Sequence, residues 1–123
     1  MGDYLISPPE QTDLHIDPAH LAETLRIRWL DAEVRSPSVQ DISRSLEWEL
    51  QMNGRVLMGA LARAGDAVYL DGDVRDCAIF AQWFRTQIPS RYNLVFYDEA
   101  YTADIELHDT TSKESIAEPF LQQ

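Results

Sequence analysis

Between Ser45 and Asn53 apolar and polar residues alternate strictly: Leu46, Trp48, Leu50 and Met52 on one side, Glu47, Glu49, Gln51 and Asn53 on the other. A period of two belongs to a strand with one face in a core and the other in water. Asn53-Gly54 comes next, the preferred pair for a tight hairpin because both central residues take positive φ. RVLMGALAR therefore returns antiparallel, Ala64-Gly65-Asp66 makes a second turn, and AVYL is a third strand. Residues 45–70 predict an antiparallel meander with one acidic face.

The period changes elsewhere. In HIDPAHLAETLRIRWL, Leu21, Leu25 and Trp29 recur every four residues, while Glu23, Arg26 and Arg28 fall off that stripe. Asp17 suits the N-cap, Pro18 the first helical position, and Ile16 can pack onto Leu21 across the cap. A second helix is predicted in DGDVRDCAIFAQWFRTQIP, capped by Asp73, with Asp76 in the first turn where the dipole favours an anion, and ended by Pro89. Its broad apolar face runs through Val74, Cys77, Ala78, Ala81, Phe84 and Ile88, widened by Phe80 and Trp83.

The remaining segments are shorter. YLISPP reads as an extended segment stopped by Pro8 and Pro9. AEVRSPSVQDIS contains a short strand and then a Ser/Pro loop, and YNLVFYDE and TADIELH are further strands. Thr111 with Glu114 forms a capping-box pattern for a short last helix that Pro119 limits. The expected fold is a single α+β domain over residues 1–123, an antiparallel sheet of about five or six strands with two main helices packed on one face.

Composition agrees with a folded chain. Among 123 residues, 45% are hydrophobic, with three Trp, five Tyr and four Phe, enough apolar surface for a core. Charge narrows the partners: 21 acidic against 10 basic residues leave a net charge of −11, which phosphate backbones and anionic membranes repel. Nucleic acid and membrane are therefore not expected partners, and a basic protein is. No apolar run approaches the roughly 18–20 residues of a membrane span. MGDYLISPPEQTD lacks the basic and greasy parts of a signal peptide, and Ile6 stands where a myristoylation motif wants Ser or Thr. With Cys77 the only cysteine, a cytoplasmic location is expected.

Candidate chemistry is sparse. The chain contains no HExxH, CxxC, GxSxG or phosphate-cradling glycine loop. Asp13, His15, Asp17 and His20 cluster, but Asp17 is wanted as a cap and nothing makes the two histidines converge. DGDVRD resembles the start of a calcium loop, yet Asp76 stands at the glycine position and Gln82 at the closing glutamate position. Cys77 falls on an apolar helix face, where a thiol behaves as a small hydrophobe, and His108 sits in a surface segment. Glu47 with Glu49, or Asp98 with Glu99, would need a cleft and one raised pKa to act as a catalytic pair. We expect no enzyme activity, no catalytic residues, no metal and no cofactor.

What remains is FYDEAY and its surroundings. From Tyr97 to Asp109 there are five acidic residues, Asp98, Glu99, Asp104, Glu106 and Asp109, and no Lys or Arg. Flat rings give contact area, and carboxylates accept paired bonds from arginine. The expected partner-binding residues are Tyr97, Asp98, Glu99, Tyr101, Asp104 and Glu106, with Glu47 and Glu49 as a second acidic strip.

YLISPP, LEWEL, VYLDGD, AQWFR and FYDEAY together resemble a family of small acidic bacterial proteins of about this length. In size, charge and layout the chain is also similar to the immunity proteins of bacterial toxin systems, a likeness of type and not of motif. That resemblance implies a cytoplasmic protein that binds and neutralises a cognate toxin, one with a basic surface. The alternative is a non-enzymatic interaction or regulatory module with an endogenous partner.

Overall fold

The computed structural model describes residues 2–37, 40 and 42–121; Ser38, Val39 and Asp41 of the Ser/Pro loop lie outside them. The order of elements is β1 (Gly2–Ser7), α1 (Pro18–Arg28), β2 (Glu33–Arg35), β3 (Arg44–Met52), β4 (Arg55–Ala62), β5 (Val68–Gly72), α2 (Val74–Gln87), β6 (Leu94–Asp98), β7 (Asp104–Leu107) and α3 (Lys113–Leu121). The strands form one sheet in the order β2-β3-β4-β5-β1-β6-β7, every pair antiparallel. The class is α+β, as expected, with seven strands instead of five or six and a third helix of nine residues.

Local signals hold at the helix starts. The Asp17 carboxylate accepts from the His20 backbone N–H at 3.3 Å, with Pro18 at the first helical position. Asp73 accepts from the Arg75 backbone N–H at 2.9 Å. The α3 cap is corrected by one residue: Ser112, not Thr111, accepts from the Ser115 N–H at 3.1 Å, while the Thr111 hydroxyl accepts from the His108 N–H at 2.8 Å. Pro119 lies inside α3, which ends two residues later. The hairpin after β3 turns on Asn53 (φ 53°) and Gly54 (φ 77°).

The inward sides of the strands and all three helices share one core. Trp48, Leu50, Leu57, Leu61, Val68, Leu70, Ile6, Leu94, Phe96 and Leu107 join Leu21, Leu25, Trp29, the α2 face and Phe120 in a single buried cluster. Helices therefore cover one face of the sheet. Phe80 of α2 is the hinge of the packing, stacked on both Trp48 and Trp29 at 5.7 Å between ring centroids. Phe120 closes the other end, edge-on to Tyr4 at 5.4 Å and to Phe96 at 5.5 Å.

Trp48 requires the glycine opposite it. Gly59 is its cross-strand partner, and a Cβ at Gly59 would overlap the indole ring. The Trp48 Nε1–H is buried without a hydrogen-bond partner, which costs about 1–3 kcal/mol. Burying an indole of roughly 200 Å² contributes about 5 kcal/mol at 25 cal/mol per Å², so the ring stays in.

Candidate functional site

The sheet face away from the helices is uncovered, and its register places one row of residues across all seven strands. Arg35 opposes Glu47, Glu47 opposes Ala60, and the row continues through Tyr69, Leu5 and Tyr97 to Asp104. A parallel row runs Glu33, Glu49, Met58, Asp71, Asp3, and Val95 sits between Ser7 and Glu106. The first row is apolar in its middle and charged at its ends, while the second carries the exposed Asp71 and Asp3 on the central strands β5 and β1. Val56 and Met58 on this face are 43% and 40% exposed. A shallow cavity of about 340 Å³ lies over the centre, bordered by Leu5, Met58, Tyr69 and Arg44, with Asp3 and Glu99 at one end.

The two acidic ends differ. At the β2–β3 end, Arg35 lies 3.6 Å from Glu47 and 3.9 Å from Glu49, and Arg44 Nη1 donates to Glu47 at 3.0 Å. The expected second acidic strip is therefore largely neutralised within the protein. At the β6–β7 end, Asp104 and Glu106 point from the outer face, no arginine among the described residues pairs with them, and the His108 ring Nε2 lies 3.4 Å from Glu106.

FYDEAY resolves into separate tasks. Phe96 is core, Tyr97 lies on the open face with its hydroxyl 3.0 Å from Ser7 Oγ, and Glu99 is exposed beside the central cavity. Asp98 holds the turn: its carboxylate accepts from the Thr102 N–H at 2.7 Å and its carbonyl from the Tyr101 N–H at 3.1 Å. Tyr101 is 80% exposed at φ 54°, with its ring parallel to Tyr97 at 5.9 Å. The open face thus brings together Tyr97, Tyr101, Asp104 and Glu106; Asp98 serves the turn, and Glu47 and Glu49 lie about 24 Å from Asp104, five strand spacings of nearly 4.8 Å each.

Paired catalytic carboxylates work within about 5–10 Å, so no carboxylate of one strip pairs with one of the other. Cys77 is fully buried, and burial first, then the Asp76 and Asp73 charges, push its thiol far above the ordinary value, so little thiolate forms. Asp17 caps α1, and the His15 ring nitrogen Nδ1 meets the Ala64 carbonyl at 3.1 Å. Among the described residues, no three His, Cys, Asp or Glu side chains converge as metal ligands, and no helix is long and apolar enough to cross a membrane.

Two buried charges went unseen in the sequence. Asp76, fully buried, accepts from Arg55 Nε at 2.8 Å, Arg55 Nη2 at 3.0 Å and Asn53 Nδ2 at 3.1 Å, which locks the hairpin turn to the start of α2. Arg85 donates to the carbonyls of Tyr92 at 2.9 Å and Pro89 at 3.1 Å, and lies 3.7 Å from Asp109. Asp109 is thereby a structural partner. Neither pair leaves a periodic trace, because each joins residues on different elements. None of the family models, curated proteins or solved structures compared with this chain matches it.

Proposed function

We propose that this protein is a binding protein of the immunity type, which neutralises a cognate bacterial toxin by laying its open sheet face against it. The observation that carries this is the row from Glu47 through Ala60, Tyr69, Leu5 and Tyr97 to Asp104, an apolar centre between acidic ends on a face no helix covers. An interface of that anatomy has a desolvated middle and a polar rim. Seven strands about five residues long give roughly 29 by 17 Å, about 500 Å², and the rim and the Tyr101 turn bring this toward the ~800 Å² per partner of a standard complex.

Charge selects the partner. A net charge of −11 repels nucleic acid and steers a basic protein toward the face. Toxins that attack nucleic acids or nucleotides carry phosphate-binding cationic sites, and the carboxylates of Asp104 and Glu106 at the β7 end can occupy such a site as an anion substitute. Inhibition by occupation needs no catalytic residue or cofactor, and the cytoplasm is where such a partner would be met.

The test is isolation and rescue. The tagged protein is purified from its own cell at low and then high salt, and the basic protein it retains is expressed alone and beside it. Growth arrest by the partner alone, relieved by this protein, is the expected result. A partner that leaves growth unaffected would assign the face to an endogenous regulatory complex instead.

A further inference from the structure

Tyr101 carries its ring into solvent from a backbone conformation that non-glycine residues avoid, φ 54°. Glycine at that position would adopt the turn without strain. The ring is nevertheless ordered against Tyr97, parallel within 10°, and Tyr97 is itself fixed by its hydroxyl contact with Ser7. With the two rings, Ser7, Pro8, Pro9, Val95 and Asp104 line an open cleft of about 270 Å³. That is below the ~300–1,000 Å³ of sites that hold a whole small molecule; it suits one long side chain.

We propose that this cleft seats an arginine side chain of the partner, its guanidinium stacked on the tyrosine pair and paired with Asp104. The inference rests on the docking role of the open face and names its anchor. A cation is selected because Asp104 lines the cleft and, among the described residues, no basic side chain lines it. Arginine is selected over lysine because only a planar guanidinium can lie flat on a ring and present a fork to a carboxylate at its edge. Proline and tyrosine walls take up the apolar stem.

The probe is N-acetyl-arginine methylamide, titrated at constant ionic strength against the labelled protein while NMR follows the Tyr97, Tyr101 and Asp104 signals. The citrulline analogue, equal in shape but uncharged, is the control. Saturable shifts confined to the cleft, with citrulline weaker by about fivefold or more, and loss of the arginine effect in Asp104→Asn, are expected. Unsaturable shifts, or equal shifts at remote carboxylates such as Glu33 and Glu114, would overturn the cleft. Tyr101→Gly gives a second reading: its melting temperature should be unchanged or raised, while affinity for the toxin falls by about 30-fold or more, as for an anchor residue. If the unaltered protein rescues growth and Tyr101→Gly rescues it with equal affinity, the anchor is wrong and the docking face stands. If the unaltered protein never rescues, the docking proposal fails, and the probe titration still decides whether the cleft takes arginine.

Discussion

The two faces of the sheet are built from the same strands in alternate residues, yet they answer to different constraints. On the covered face every large side chain is committed: Trp48, Phe80 and Trp29 stack in series, and Gly59 is small because the indole lies on it. On the open face Val56, Met58, Tyr69 and Leu5 are only partly covered, and the polar ends are unequal, arginine-paired at Glu47 but not at Asp104. A side chain packed to interior density is fixed by its neighbours. The apolar side chains of the open face are held in that way only in part.

That contrast breaks most visibly at the covered side. Arg55→Ala should give the largest loss in urea denaturation, because it leaves the fully buried Asp76 carboxylate with Asn53 as its remaining side-chain donor. Asp76→Asn should cost less, since Arg55 is half-exposed and can turn to water. Next in size is Gly59→Ala, about 1–3 kcal/mol, as the new methyl forces Trp48 off its stack with Phe80. Equal stability of this variant and the unaltered protein would show that the sheet can part there without loss.

The helix start gives a smaller, pH-dependent effect. Hydrogen bonds from Arg75, then its charge and that of Arg55, hold the Asp73 carboxyl well below its ordinary value of 3.8. A depressed folded-state pKa stabilises above the unfolded value and is lost as pH falls below it. Asp73→Asn keeps a cap but should flatten stability between pH 4 and more acid conditions, and Asp73→Ala should cost about 1 kcal/mol at neutral pH. An unchanged acid limb in Asp73→Asn would assign the acid sensitivity to other carboxylates.

On the open face, stability should scarcely move. Met58→Gln, and Asp104→Lys with Glu106→Lys, are expected to stay within about 0.5 kcal/mol, while the β7 pair weakens partner binding strongly. Glu47→Gln should weaken it far less, because Arg35 and Arg44 already occupy that carboxylate. Equal losses at the two ends would remove the distinction between them. Charge reversal at Asp98 is the wrong probe, since it would release the Thr102 turn and not simply recolour the surface.

Much of the fold was legible because it is written locally. The alternation from Leu46 to Met52, the Asn53-Gly54 turn and the Asp17 and Asp73 caps each depend on residues a few positions apart, and each appears where the pattern puts it. All seven strands fall in segments read as strand or extended, β2 in AEVRSPSVQDIS and β7 in TADIELH among them, and the count of five or six fell short because pairing decides which short segments join the sheet. The candidate site was legible in its ingredients, and its partition was not: Tyr97, Asp104 and Glu106 share the open face, Asp98 and Asp109 serve a turn and a clamp, and Glu47 meets two arginines.

The amino-acid sequence by itself determined the periods, the caps, the acidity and the absence of familiar catalytic signatures. Tertiary structure decided that β1 sits between β5 and β6, so that Leu5 joins Tyr69 to Tyr97 and the two acidic strips end up at opposite rims. It also decided which charges are spent within the protein, at Asp76 with Arg55 and at Glu47 with Arg35 and Arg44. Periodicity is a property of neighbours along the chain, whereas a cross-strand row or a buried ion pair exists only when register brings distant residues face to face.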